Sequence, residues 1–159
     1  MDMSSVGREM LTELEGKRNA KYLDQAGLPT IGVGHLLTKS ELSSGKIQLG
    51  GIPIRWTEGL TDAEVDAILA HDVEDTVEVV EAQVAVPLSQ PQFDALVSFA
   101  FNIGGGAFQH STLLKLLNSG NYAGVPAQMR RWIHAHDGSV LPVLVKRRET
   151  EIERWKASV

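Results

Sequence analysis

A chain of 159 residues, 43% of them hydrophobic and with no low-complexity tract, falls in the single-domain range and excludes a disordered protein. It holds no cysteine, so disulfides, thiolate metal sites and thiol catalysis are excluded as well. A net charge of −5, with no basic interior run, argues against a nucleic-acid partner.

The charge is unevenly placed. From Glu58 to Glu81 every Asp, Glu, Lys or Arg is acidic, whereas the last thirty residues carry Arg130, Arg131, Lys146, Arg147, Arg148, Arg154 and Lys156. Two solvated helix faces of opposite sign account for this. The sharper reading is a basic patch that meets an anionic polymer. The opening "MDMSSVGREMLTELEG" has no basic segment followed by an apolar one, and no window approaches the roughly 18 apolar residues of a membrane helix. The expectation is a protein without stable membrane insertion, whose export depends on other factors. No internal repeat is visible.

In chain order, Ser4 or Ser5 can cap a first helix with Met10, Leu11 and Leu14 on its apolar face, and Gly16 offers a stop. From Lys17 to Leu37 the helical period vanishes. Tyr22, Leu28, Ile31 and Val33, broken by Gly27, Gly32 and Gly34, predict short strands and turns. In "KIQLGGIPIRW", alternating residues on both sides of Gly50-Gly51 predict a hairpin with a two-residue primed turn. The rest is helical. "TDAE" from Thr61 is a capping box opening a long helix towards Ala82, and "SQPQ" from Ser89 repeats it before "FDALVSFAF". Ser111 or Thr112 starts a helix that Gly120 ends, and two more are expected, around 127–133 and 144–155. Strands early and helices after make an α+β layout.

Glycoside hydrolysis needs an acid for the departing oxygen and a second group on the opposite face of the sugar. Glu15, at the end of the first helix, is a candidate acid. Asp24 follows nine residues later and Thr30 six after that. A carboxylate and a threonine hydroxyl together can hold a water molecule. Taken singly, each has an ordinary reading: a solvated glutamate, and turn chemistry in a Gly-rich loop.

The set changes the reading. "EG" at Glu15, Asp24 before "QAG" and "TIGVGH" from Thr30 resemble the active-site region of the phage-type lysozymes, glycoside hydrolase family twenty-four. "LSQPQFDALVSFAFNIGGGAF" resembles that family's central helix, with its signature at Phe101 to Gly104, and "STLLKLLNSGNY" and "LVKRRETEIERW" match in kind. The likeness covers nearly the whole chain. Two stretches depart from it: residues 38–59 look like an insertion, and "IHAHDG" with Val143 replaces a more Gly-rich pattern.

The resemblance implies a lysozyme-like α+β fold in a single catalytic domain, 1–159. Its small N-terminal β-containing lobe would span about 16–60. A larger helical lobe of about 61–159, plus the N-terminal helix, would be joined to it by the long helix. Glu15, Asp24 and Thr30 are the implied catalytic residues, in a cleft that takes bacterial peptidoglycan. The implied activity is an N-acetylmuramidase cutting the β-1,4 bond from N-acetylmuramic acid to N-acetylglucosamine. Glu15 would protonate the leaving oxygen while Asp24 and Thr30 orient water for inversion, with a covalent Asp24 intermediate as the alternative. Such an enzyme serves phage lysis, made in the host cytoplasm and acting on the periplasmic wall once a holin has permeabilised the membrane, and is expected to be a monomer.

Other residues fall around this set. Tyr22 and Asn102 are candidate substrate contacts, and Gly32, Gly34 and His35 are expected to be structural at the site. His134 and His136 do not share a helix face and have no third ligand in view, so neither metal nor cofactor is expected. Trp56, Trp132 and Trp155 read as packing residues. Two further functions remain from other classes: a lysozyme-like module that binds glycan or protein without cutting, and an antibacterial muramidase toxin.

Overall fold

The computed structural model describes residues 1–157. Its contacts group the chain into two compact units, Arg8–Asp72 and Met1–Gly7 with the chain from Val73 onward.

The first unit begins inside helix α1, Ser5–Glu15. Ser4 caps that helix, its hydroxyl accepting the Gly7 N–H at 3.0 Å. Gly16 ends it at φ +77°, where its N–H bonds Thr12 O at 2.8 Å. Strands β1 (Arg18–Leu23), β2 (Pro29–Gly32) and β3 (His35–Leu36) then form an antiparallel sheet in the order β1-β2-β3. Ile31 on the middle strand is fully buried.

The expected insertion is ordered. Helix α2, Lys39–Ser44, is capped by a reciprocal Thr38–Glu41 box, and a hairpin of β4 (Lys46–Leu49) and β5 (Ile52–Arg55) follows. Leu49 pairs with Ile52, and Gly50 and Gly51 sit at φ +55° and +84°, the predicted primed turn. Helix α3, Asp62–Asp72, opens on the predicted Thr61–Glu64 box and buries Val65, Ile68 and Leu69. It contacts β2 and β3, which is why this unit extends to Asp72 and not only to about residue 60.

The predicted long helix is interrupted once. α3 ends at Asp72 and α4 spans Glu74–Gln83, with Val73 between them at φ −85° and ψ −7°. That backbone has drifted towards the sparsely allowed bridge region, although Val77 N–H still bonds Val73 O at 2.9 Å.

In the second unit, α5 (Gln90–Ile103) opens on the predicted Ser89–Gln92 box and is buried from Phe93 to Ala100. It packs against α9, Pro142–Lys156. Between them lie α6 (Gly105–Gln109), α7 (Thr112–Asn118, capped by Ser111), a 3₁₀ turn at Tyr122–Gly124 and α8 (Val125–Met129). α8 starts and stops earlier than the expected 127–133. Pro126 fixes its first turn, and the N–H groups of Arg131 and Trp132 bond three residues back, to Gln128 O and Met129 O, which tightens and ends it. The chain then turns back on itself at an isolated bridge between His134 and Val140.

Two polar clusters sit in this core. Glu151, fully buried, takes the guanidinium of Arg148, Arg147 Nε at 3.3 Å and the Ser98 hydroxyl at 2.5 Å. Burial holds Arg148 below the usual arginine range while the Glu151 carboxylate partly offsets it. Asp94, also fully buried, accepts from Ser4 N–H at 2.9 Å, Gln90 at 2.9 Å and Arg154 at 2.6 Å. Gly7 is required beside it, because a Cβ there would lie 2.6 Å from Asp94 Cγ.

Candidate active site

The loop between β1 and β2 is built by Asp24. Its Oδ1 accepts the N–H groups of Ala26 at 2.9 Å and Leu28 at 2.8 Å, and its own N–H donates to Leu28 O at 2.9 Å. This is the self-bonding that makes aspartate a turn former. Both side-chain bonds fall on Oδ1 and neither engages Oδ2. Gly27 at φ +78° lets the turn close.

Thr30 meets the same residue from the other side. Its hydroxyl donates to Leu28 O at 2.9 Å, and the residue is only 2% exposed. Asp24 and Thr30 are therefore tied to one shared peptide neighbour, Leu28, across a five-residue loop 24–28. Thr30 also pairs with Tyr22 on β1 and with Leu36 on β3, so the three share one face of the sheet. The Tyr22 ring carries the Arg18 guanidinium 4.9 Å from its centroid.

Glu15 is the last residue of α1 and is exposed. The chain beyond it is held by Lys17, whose ammonium lies 2.8 Å from Asp62, and by Asn19, whose amide donates to Leu60 O at 2.8 Å and to Asp62 at 3.1 Å. The Glu15 helix end and the Asp24–Thr30 loop are thus joined by β1, itself pinned at its start. All three residues lie in the same unit.

Gly32 and Gly34, at φ +66° and +68°, turn β2 into β3 and deliver His35. His35 is clamped: Nδ1 lies 2.8 Å from Asp72 Oδ2 and Nε2 lies 3.0 Å from Glu41 Oε1. The hydrogen bond to Asp72 is the main reason its pKa rises from 6.5 to about 9. Burial opposes the rise, and the Glu41 carboxylate adds to it. His35 is an imidazolium between two carboxylates at neutral pH. Glu41 in turn caps Thr38, and its carbonyl accepts the buried Trp56 indole N–H at 2.9 Å, so α2 and the β4–β5 hairpin are anchored through one residue. Neither Asp72 nor Glu41 stood out from the sequence. The Glu41 signal was present, since "TKSE" from Thr38 has the same capping-box form as "TDAE".

Asn102 lies in the other unit, at the end of α5, where its side-chain carbonyl accepts the Arg148 guanidinium. Its carbonyl is thus already in use within that unit. His134 and His136 line a cavity beside it, and no group of three His, Cys, Asp or Glu suited to a metal occurs among the described residues.

Comparison with known proteins decides the family. The phage lysozyme family model matches residues 12–151, which include Glu15, Asp24 and Thr30. The chain belongs to the phage lysozyme family. Among relatives, the endolysin of Salmonella phage P22 is 36% identical over 151 residues, covering 95% of each chain. The solved structure of a P22 lysozyme mutant superposes with a TM-score of 0.82 at 33% identity over 99% of both chains. The muramidase domain of SpmX from Asticaccaulis excentricus gives 0.80 at 33% identity, again over 99% of both. The expected lysozyme-like α+β fold stands, and this phage lysozyme is a glycoside hydrolase in kind.

Proposed function

We propose that this phage lysozyme hydrolyses peptidoglycan as an N-acetylmuramidase in host-cell lysis, with Glu15 as acid and Asp24 and Thr30 holding the water. Glu15 gives its proton to the glycosidic oxygen as the bond to the muramic acid carbon breaks, so N-acetylglucosamine leaves as an alcohol. Water adds its oxygen to that carbon from the opposite face and yields a proton to Asp24. The configuration at the carbon inverts. In this reading Tyr22, which shares a sheet face with Thr30, contacts the sugar.

The observation that carries this reading is the shared anchoring of Asp24 and Thr30 on Leu28, which leaves Asp24 Oδ2 outside the loop's own hydrogen bonds. The test is digestion of purified peptidoglycan with the products read by mass spectrometry and the first-formed anomer by NMR. Inverted, reducing N-acetylmuramic acid ends support the proposal. Anhydro-muramic ends would make it a lytic transglycosylase, and no released ends would favour a binding module.

The same reading makes the enzyme a monomer that reaches the periplasmic wall from the host cytoplasm after a holin opens the membrane. Among the described residues, no helix is long and apolar enough to cross a membrane. Expression alone should leave cells intact, and holin co-expression should lyse them. Lysis without a holin would overturn this route.

A further inference from the structure

Arg18, the first residue of β1, is exposed and forms no ion pair among the described residues. It differs in this from Arg8, Arg130 and Arg154, each bonded to an aspartate or glutamate at 2.6–2.8 Å. Its guanidinium carbon lies instead over the Tyr22 ring, 4.9 Å from the centroid.

The strand fixes this arrangement. Lys17 and Asn19, on either side of Arg18, both reach Asp62, at 2.8 and 3.1 Å, and Leu60 N–H donates to Asn19 O at 2.7 Å. Arg18 pairs with Gly32 and Tyr22 with Thr30, so four steps of β1 face only two of β2. That irregularity sets Arg18 and Tyr22 opposite residues on one face of the sheet, close enough for the long side chain to reach the ring.

We propose that Arg18, carried on Tyr22, reads the lactyl carbonyl group of N-acetylmuramic acid and so selects which sugar is cut. The inference rests on the muramidase reading for the place of that sugar, on the sheet face that Tyr22 shares with Thr30. An aromatic face attracts a cation through its quadrupole and takes up no conventional hydrogen bond. The guanidinium therefore keeps its rigid fork of N–H donors for a planar oxygen acceptor. N-acetylmuramic acid differs from N-acetylglucosamine by one group, a lactyl ether that ends in a carboxylate or, under a peptide, in an amide carbonyl. Both ends offer the fork an oxygen, and N-acetylglucosamine has only a hydroxyl at that carbon.

The probe is N-acetylglucosamine linked β-1,4 to N-acetylmuramic acid, titrated against the full chain with the Tyr22 ring resonances as readout. It should bind about tenfold more tightly than chitobiose, and than its own form with the lactyl carboxyl reduced to an alcohol. Its lactyl methylamide should keep most of that preference, because the carbonyl oxygen remains. Arg18→Gln should level the ligands and Arg18→Lys should restore part of the difference, with melting temperatures unchanged. Tyr22→Leu should shrink the preference, and Tyr22→Phe should keep it. Equal binding of acid and alcohol by the wild type, or a full preference in Arg18→Gln, would overturn the proposal. A preference confined to the acid would overturn it too, as a general anion site. In turnover, the wild type should favour peptide-free glycan strands over carboxyl-reduced ones by a similar factor. If it cut neither strand yet kept its preference in binding, the muramidase reading would fail and the sugar-reading role of Arg18 would stand.

Discussion

His35 and Asp72 are joined at 2.8 Å between Nδ1 and Oδ2, tying the β2–β3 turn to the last residue of α3. On the other ring nitrogen, Glu41 brings the insertion to the same charge. One imidazolium therefore links three segments of the strand-containing unit, and its side chain is only 14% exposed.

This link makes stability depend on alkaline pH. The folded pKa of His35 is raised from 6.5 to about 9, so its contribution is complete below about 6.5 and is lost as pH climbs through 9. By linkage the rise corresponds to about 3 kcal/mol. Urea denaturation at pH 6 should find His35→Asn less stable by roughly that amount, with the gap closing by pH 10. An undiminished gap at pH 10 would mean that packing, not charge, is the source.

Glu151 is the second point of stability. It is fully buried with Arg147 and Arg148 on either side, so Glu151→Ala removes the buried carboxylate that the two guanidinium groups share. A loss of about 3–5 kcal/mol is expected by chemical denaturation. A loss below about 1 kcal/mol would show that water replaces the carboxylate.

Much of this architecture is legible locally. The boxes at Thr61 and Ser89 and the Gly50-Gly51 hairpin depend on residues within a few positions of one another, and each forms where predicted. Glu15, Asp24 and Thr30 were legible only as a set. What the sequence hid is tertiary. Glu41 and Asp72 acquire meaning only when folding brings them to His35, from 6 and 37 residues away. The interruption at Val73 has no breaker residue to announce it. The role of His134 and His136 was read on helical geometry, whereas the turn at His134–Val140 sets both along one cavity.

Variants at the loop separate shape from chemistry. Asp24→Asn keeps an oxygen for the Ala26 and Leu28 N–H groups, so the loop and the melting temperature should persist while turnover falls by about 10²–10⁴-fold. Thr30→Ser retains the hydroxyl and should be mild. Thr30→Val removes it, and turnover should fall by at least about 10²-fold, with roughly 1 kcal/mol lost from the bond to Leu28 O. Near-normal kcat in Thr30→Val would remove Thr30 from the site.

Glu15→Gln tests the central claim most directly, because it removes the proposed proton donor while keeping the side chain's shape. Turnover of purified peptidoglycan and a thermal melt should be measured on the same preparation, since cleft charges can be lost with a gain in stability. The account predicts an unchanged or higher melting temperature, intact glycan binding and turnover reduced by at least about 10²-fold. Near-normal turnover with a normal melt would contradict it.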